Sequence, residues 1–219
     1  MKNIHDPHEG RLLKNYFRAW WYEKKVSNKQ IALSLDIAAG SVTEMVGKLV
    51  QEGLAKHTPY AGISLTKKGI RYAETLVRKH RIWEDFLVDK LDYDLPDVHT
   101  EAEVLEHVTS ERLVDSLEAF LGNPTHCPHG GAIPDKDGHY QEDSHVSLAD
   151  TQDGTTVTIE RFIDNHDLLV YLHDTPLKIG QQVTVLKHDP FEGPVTVSIQ
   201  KTGEEIPVSY KAAHNVFVK

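Results

Sequence analysis

The sequence predicts a mainly α-helical protein with a small β component: a winged helix-turn-helix, then a helical middle segment, then a small β-barrel. Three observations lead there. Apolar residues recur at helical spacing from Gly10 to Leu121, and the period changes to two from Val146 onward. Two short helical patterns flank a small-residue break and precede a strand-loop-strand pattern. The formal charge of −9 is also unevenly spread, with 15 Lys+Arg against 7 Asp+Glu up to Ile82 and 9 against 26 from Trp83 on. A net of +8 followed by −17 points to phosphate for the first part and to cations for the second.

The 219 residues allow one to three domains. No apolar run approaches the length of a membrane span, and Met1–Asp6 lacks the apolar core of a signal peptide. A lone cysteine, Cys127, excludes an internal disulfide framework and fits a reducing cytoplasm. Of the 14 histidines, 11 lie from His80 onward, among the carboxylates.

Taken in order, Gly10–Lys25 reads as an amphipathic helix with an aromatic face of Tyr16, Phe17, Trp20 and Trp21. Ser27-Asn28 caps a short helix over Lys29–Leu35. After Asp36–Gly40, the segment Ser41–Val50 places Val42, Met45, Val46, Leu49 and Val50 at spacings of three and four, leaving Ser41, Thr43, Glu44 and Lys48 off the core face. Lys56–Leu65 reads as two strands around a loop, which makes a wing. A long helix runs from Thr66 to about Leu91, Pro96 breaks the chain, and Val98–Leu121 is helical with an internal bend. Thr125–Ser144, rich in Gly, Pro, Asp and His, reads as a linker. Five strands follow, at 155–159, 168–172, 182–186, 195–199 and 215–218. The domains expected are 1–75, 76–144 and 145–219.

Three runs carry ligand chemistry. Glu103-Val104-Leu105-Glu106-His107 sets two carboxylates and an imidazole on one helical face, where they can meet one ion or form a solvated surface. His80 and Glu84 are an i, i+4 pair that serves either as ligands or as a surface pair. Cys127 and His129 offer a thiolate and an imidazole, or else a buried inert thiol. No G-x-S-x-G, Walker loop, H-E-x-x-H or G-x-G-x-x-G occurs, which disfavours the common catalytic classes.

In combination, Ser27–Ala32, Val42-Thr43-Glu44-Met45-Val46, Leu65–Gly69, Arg78-Lys79-His80-Arg81, Glu101–His107 and Cys127–Pro134 resemble the diphtheria toxin repressor family of iron- and manganese-dependent regulators, nearest its three-domain manganese-responsive branch. The resemblance implies a C-terminal barrel of the SH3-like, FeoA-like type and a homodimer. It implies one metal site at Glu103, Glu106 and His107, completed from the first helix, and a second at Glu84, Cys127, His129 and Asp164, with His80 close by. Relatives carry Asp or Met at the first-helix ligand position, where this chain has Arg11. His8, Glu9 or Asp6 can substitute, or the Arg11 guanidinium can pair with Glu103 or Glu106 in place of an ion.

The expectation is a dimeric repressor that binds an inverted-repeat operator in double-stranded DNA, with Lys29, Ser41, Thr43 and Lys48 as DNA contacts and no membrane partner. Glu103, where iron-responsive relatives have cysteine, shifts the expected ion toward Mn²⁺, with Fe²⁺ as the alternative and Zn²⁺ able to bind in vitro. The alternatives are a metal-independent or iron-responsive DNA-binding regulator with a decayed first site and, more distantly, a metal-dependent hydrolase.

Overall fold

The computed structural model describes residues 10–14, 28–35, 37–58, 62–139 and 145–219. The N-terminal ligand candidates Asp6, His8 and Glu9, and the aromatic face beyond Lys14, lie outside them.

Residues 10–14 are helical (α1). Helices α2 (Asn28–Leu35) and α3 (Ala39–Gln51) form the expected helix-turn-helix, and β1 (Ala55–Thr58) pairs antiparallel with β2 (Gly62–Leu65) as the wing. Four of the five residues read as the core face of α3 pack: Val42, Met45, Val46 and Leu49 are buried with Leu12, Leu13 and Ile31, while Val50 is exposed.

Helix α4 (Lys67–Leu91) starts where Thr66 accepts a hydrogen bond from the Gly69 amide, and ends at Asp92 in a left-handed conformation. Its first turn sits on the wing: Thr66 N donates to Leu54 O (2.9 Å), and a Cβ on Gly69 would overlap that same carbonyl oxygen. Gly69→Ala is therefore expected to destabilise the N-terminal unit by about 1–2 kcal/mol net, the clash outweighing the helix-propensity gain. A lower urea midpoint for that unit would show it. Because α4 is continuous through residue 75, one rigid element joins the winged helix to the middle segment.

The expected helix with a bend is two helices, α5 (Leu95–Val108) and α6 (Glu111–Phe120). Thr109 is extended, and Ser110 caps α6 by accepting from Leu113 N. Pro96 lies in the first turn of α5, where its missing N–H costs nothing. Arg78 of α4 holds α6 through Asp115 (2.8 Å) and Glu118.

The C-terminal unit is a six-stranded antiparallel sheet, in the order β3 (Val146–Ser147), β8 (Val216–Val218), β4 (Thr156–Phe162), β5 (Gln182–His188), β6 (Val195–Ile199), β7 (Glu205–Val208). Register shifts in the β4–β8 and β5–β6 pairs bend it around a core of Ile159, Val183, Val185, Val197 and Val216. One expected strand is wrong: 168–172 belongs to helix α7 (His166–His173), which buries Leu168, Leu169 and Leu172 and is capped by Asn165. Edge strands β3 and β7 were not anticipated. A short helix, α8 (Tyr210–Ala213), precedes β8.

Candidate metal centre

Four elements bring donors together between the middle segment and the sheet unit. Helix α4 supplies His80 and Glu84, one turn apart, and α5 supplies His99, Glu103, Glu106 and His107. A tight turn supplies Cys127 and His129, with Gly130 N donating to Cys127 O (2.8 Å) and Cys127 N to Gly131 O (2.9 Å). Gly130 has φ +79°, and a Cβ there would overlap the Glu160 carbonyl, so only glycine lets this turn lie against β4. Phe162 N donates to His129 O (3.0 Å), and the chain after β4 delivers Asp164.

The lower cluster centres on Glu84, whose side chain is 1% exposed. Its Oε1 lies 2.9 Å from His80 Nε2 and 3.8 Å from His99 Nδ1, and its Oε2 lies 3.3 Å from His129 Nδ1. Asp164 Oδ2 stands 2.8 Å from His99 Nδ1 and 3.5 Å from His80 Nε2. One donor atom each from Glu84, Cys127 and His129, and one each from His80, Glu84, His99 and Asp164, lie within 4.8 Å of one another. His129 Nε2 faces Leu95 O at 3.2 Å, which turns Nδ1 inward toward Glu84, and the ion-pair contacts of His129 Nδ1 and Glu84 Oε1 lack the alignment of a hydrogen bond. Buried imidazole, thiol and carboxylate groups that converge in this way fit a divalent cation.

The electrostatics agree. Burial disfavours charge on the imidazoles, yet His80, His99 and His129 are all raised, His129 to about 12, by Glu84 beside all three, by Asp164 beside His80 and His99, and by the Cys127 side chain beside His129. Burial likewise opposes charge on Glu84 and Asp164, and the imidazoles nevertheless hold both well below the usual carboxylate range. Protons on the histidines supply the positive charge that the cluster needs.

The upper cluster differs. Glu103 and Glu106 are buried on α5, and His107 Nε2 is 3.8 and 3.3 Å from their Oε1 atoms. Both Oε2 atoms turn to Lys14 Nζ, at 2.7 and 2.8 Å, while Arg11 Nε lies 3.2 Å from Glu103 Oε1. Burial notwithstanding, His107 and the Lys14 ammonium hold Glu103 well below its ordinary range. A side-chain cation thus occupies the space between the two Oε2 atoms, so no divalent ion fits between them while Lys14 is there, although Glu106 Oε1 and both His107 ring nitrogens have no hydrogen-bond partner and donor atoms of His80, Glu103 and Glu106 lie within 4.8 Å of one another. The two clusters meet at His80, whose Nδ1 lies 2.6 Å from Glu106 Oε2.

The structure brings the expected His80, Glu84, Glu103, Glu106, His107, Cys127, His129 and Asp164 into these two clusters, together with two residues that sequence reasoning did not name. His99 lies four positions before Glu103 on the same helical face, a spacing that was available to read. Lys14 had no motif to reveal it. Of the expected DNA contacts, Lys29, Ser41, Thr43 and Lys48 are all exposed, the last three on one helix whose opposite face is core.

Three family descriptions match in series: the iron-dependent repressor N-terminal DNA-binding domain over residues 13–63, its metal-binding and dimerisation domain over 66–135, and the FeoA domain over 146–219. The structure is similar to that of the manganese regulator SloR, with TM-score 0.86, 36% identity, and 100% and 99% of the two chains covered. A manganese-dependent transcriptional repressor in complex with manganese gives TM-score 0.85 at 33% identity, covering 94% and 98%. The iron-dependent repressor IdeR of Mycobacterium tuberculosis is 30% identical over 203 residues, 87% of each chain. A probable metal transport system membrane protein of Chlamydia trachomatis is 32% identical over 127 residues, but the match spans only 28% of that protein. The chain belongs to the iron-dependent repressor family and is a metal-dependent DNA-binding repressor.

Proposed function

We propose that this chain is a manganese-responsive homodimeric repressor that binds an inverted-repeat operator, with its regulatory ion held by His80, Glu84, His99, Cys127, His129 and Asp164. The observation that carries the reading is the lower cluster, whose donors come from α4, α5, the Cys127–His129 turn and the sheet unit. A bound divalent ion supplies the charge that lets carboxylate, thiolate and imidazole donors from separate elements share one site. The residues do the rest. Glu84 and Asp164 orient the imidazoles, Leu95 O fixes the His129 tautomer, and His80 passes the arrangement to Glu106 through Nδ1. Hard oxygen donors from Glu84 and Asp164, together with the similarity to manganese regulators, favour Mn²⁺ over Fe²⁺.

The units 1–75, 76–144 and 145–219 divide the work as DNA contact, dimerisation with metal binding, and closure of the metal site. On α3, Ser41, Thr43 and Lys48 face solvent for major-groove contact, with Lys29 of α2 beside the backbone. Val104 and Val108 of α5, and Leu113 and Phe120 of α6, are exposed apolar residues suited to a second copy. DNA as partner, and a cysteine kept as thiol, suit the cytoplasm. No catalytic role is assigned to any residue.

Selection from a random duplex pool in Mn²⁺, followed by anisotropy titrations, tests this. An inverted repeat should be enriched and bound at least ~tenfold tighter with Mn²⁺ than with EDTA, about 1.4 kcal/mol of coupling. Affinity indifferent to Mn²⁺, Fe²⁺ and EDTA would refute the metal switch. A stronger response to Fe²⁺ would move the assignment to iron.

A further inference from the structure

We infer that Lys14 stands permanently where a second metal ion would otherwise sit, so that each protomer takes one regulatory ion and α1 is fastened to α5 by an ammonium group. The inference deepens the metal-responsive reading above and rests on it for the lower cluster.

Three observations support it. Lys14 Nζ lies 2.7 Å from Glu103 Oε2 and 2.8 Å from Glu106 Oε2, and its side chain is only 10% exposed. A buried ammonium between two buried carboxylates supplies one oxygen of each with the positive charge a bridging cation would, while a second positive centre in the same space would be repelled. Arg11 Nε adds a contact to Glu103 Oε1 at 3.2 Å, so the carboxylate is bound on both oxygens. Finally, the backbone of α1 is drawn close: a Cβ on Gly10 would overlap the His107 ring. Helix α1 therefore packs directly on the imidazole and lays its basic side chains over the carboxylates.

The arrangement also links the DNA-binding unit to the metal centre. Glu106 Oε2 faces both Lys14 Nζ and His80 Nδ1, the latter at 2.6 Å. His80 Nε2 opens onto Glu84 and Asp164. When Nδ1 donates to Glu106, Nε2 is left as the lone-pair atom for the lower cluster. Lys14, Glu106 and His80 thus form one chain of contacts from α1 to the ion site, with Lys14 as a positioning residue.

Manganese stoichiometry in the full-length protein, measured by equilibrium dialysis and elemental analysis, gives the test. Wild type should bind one ion per protomer, Lys14→Ala two, and Lys14→Arg one. Wild type at two, or Lys14→Ala remaining at one, overturns the inference while leaving a metal-responsive repressor intact. A metal-free arm keeps the two readings separable. In EDTA, amides of residues 10–14 should exchange at least ~tenfold faster in Lys14→Ala than in wild type, with protection restored in Lys14→Arg. Equal exchange in all three overturns the inference. No manganese bound by wild type, with the exchange pattern as expected, instead refutes the metal reading and leaves the tether standing.

Discussion

Glu84→Gln is expected to lower manganese affinity at least ~100-fold, about 2.7 kcal/mol, and to remove the metal response of operator binding. The magnitude follows from its position. Glu84 is the one residue shared by the two overlapping donor groups of the lower cluster, with one oxygen toward His80 and His99 and the other toward His129. Glutamine keeps the shape and removes the charge, so the ion loses a ligand and the imidazoles lose their counter-charge together. In the metal-free protein the cost differs in kind. Removing one partner of a buried ion pair costs about 3–5 kcal/mol when the other charge is stranded, but a histidine can shed its proton, so a smaller loss is expected at neutral pH. Competition against a fluorescent chelator reads the affinity, and urea titration in EDTA reads the stability. Glu118→Gln serves as control: it touches Arg78 at the far side of α4 and should leave manganese affinity within about twofold. Manganese affinity within about threefold of wild type in Glu84→Gln would remove Glu84 from the site.

Where local pattern and tertiary packing agree, the fold was legible. The spacing of Val42, Met45, Val46 and Leu49 on α3 is the same spacing that fills the winged-helix core, and the Thr66–Gly69 start of α4 is a local capping signal. The run Leu168–Leu172 was ambiguous because five apolar residues in a row suit a buried strand or a short buried helix. What decided it was Asn165, three residues ahead, whose side chain caps the helix at Leu168 N (3.0 Å). Strand β7 was hidden by Pro207, which lacks a donor and is tolerated there because β7 is an edge strand. The clustered donors on α4, α5 and the Cys127 turn could be read as motifs, but Asp164 came only from family resemblance, since one aspartate after a strand has no local signature. Lys14 illustrates the limit most clearly. Its partners lie 89 and 92 positions away, and on its own helix it reads as one basic residue among several.

Manganese affinity should rise steeply with pH across neutrality, while the stability of the metal-free protein falls. The sign follows from the cluster's proton occupancy. Against burial, which favours the neutral ring, carboxylate neighbours raise His80, His99 and His129 above their ordinary 6.5, His129 to about 12. Groups raised on folding stabilise fully below pH 6.5 and lose that contribution as pH climbs through their folded values. Against burial that raises them, the imidazoles depress Glu84 and Asp164, which therefore stabilise above about their ordinary 4.5 and 3.8 and lose that contribution in acid. The metal-free cluster thus contributes most between roughly pH 4.5 and 6.5 and less as the solution becomes more basic. Ligation requires neutral imidazole, so each histidine that binds gives up its proton, and each proton released adds about a factor of ten in affinity per pH unit. From pH 6.5 to 7.5 at least ~tenfold tighter manganese binding is expected. Calorimetry in buffers of different ionisation enthalpy counts the protons, and melting curves from pH 5.5 to 8.5 should show the manganese-induced rise in Tm widening with pH. A proton count of zero would mean that the imidazoles are already neutral before the ion arrives. Glu84 and Asp164, at 2.8–3.3 Å from His80, His99 and His129, would then lose the imidazolium charges that hold them ionised in the buried cluster.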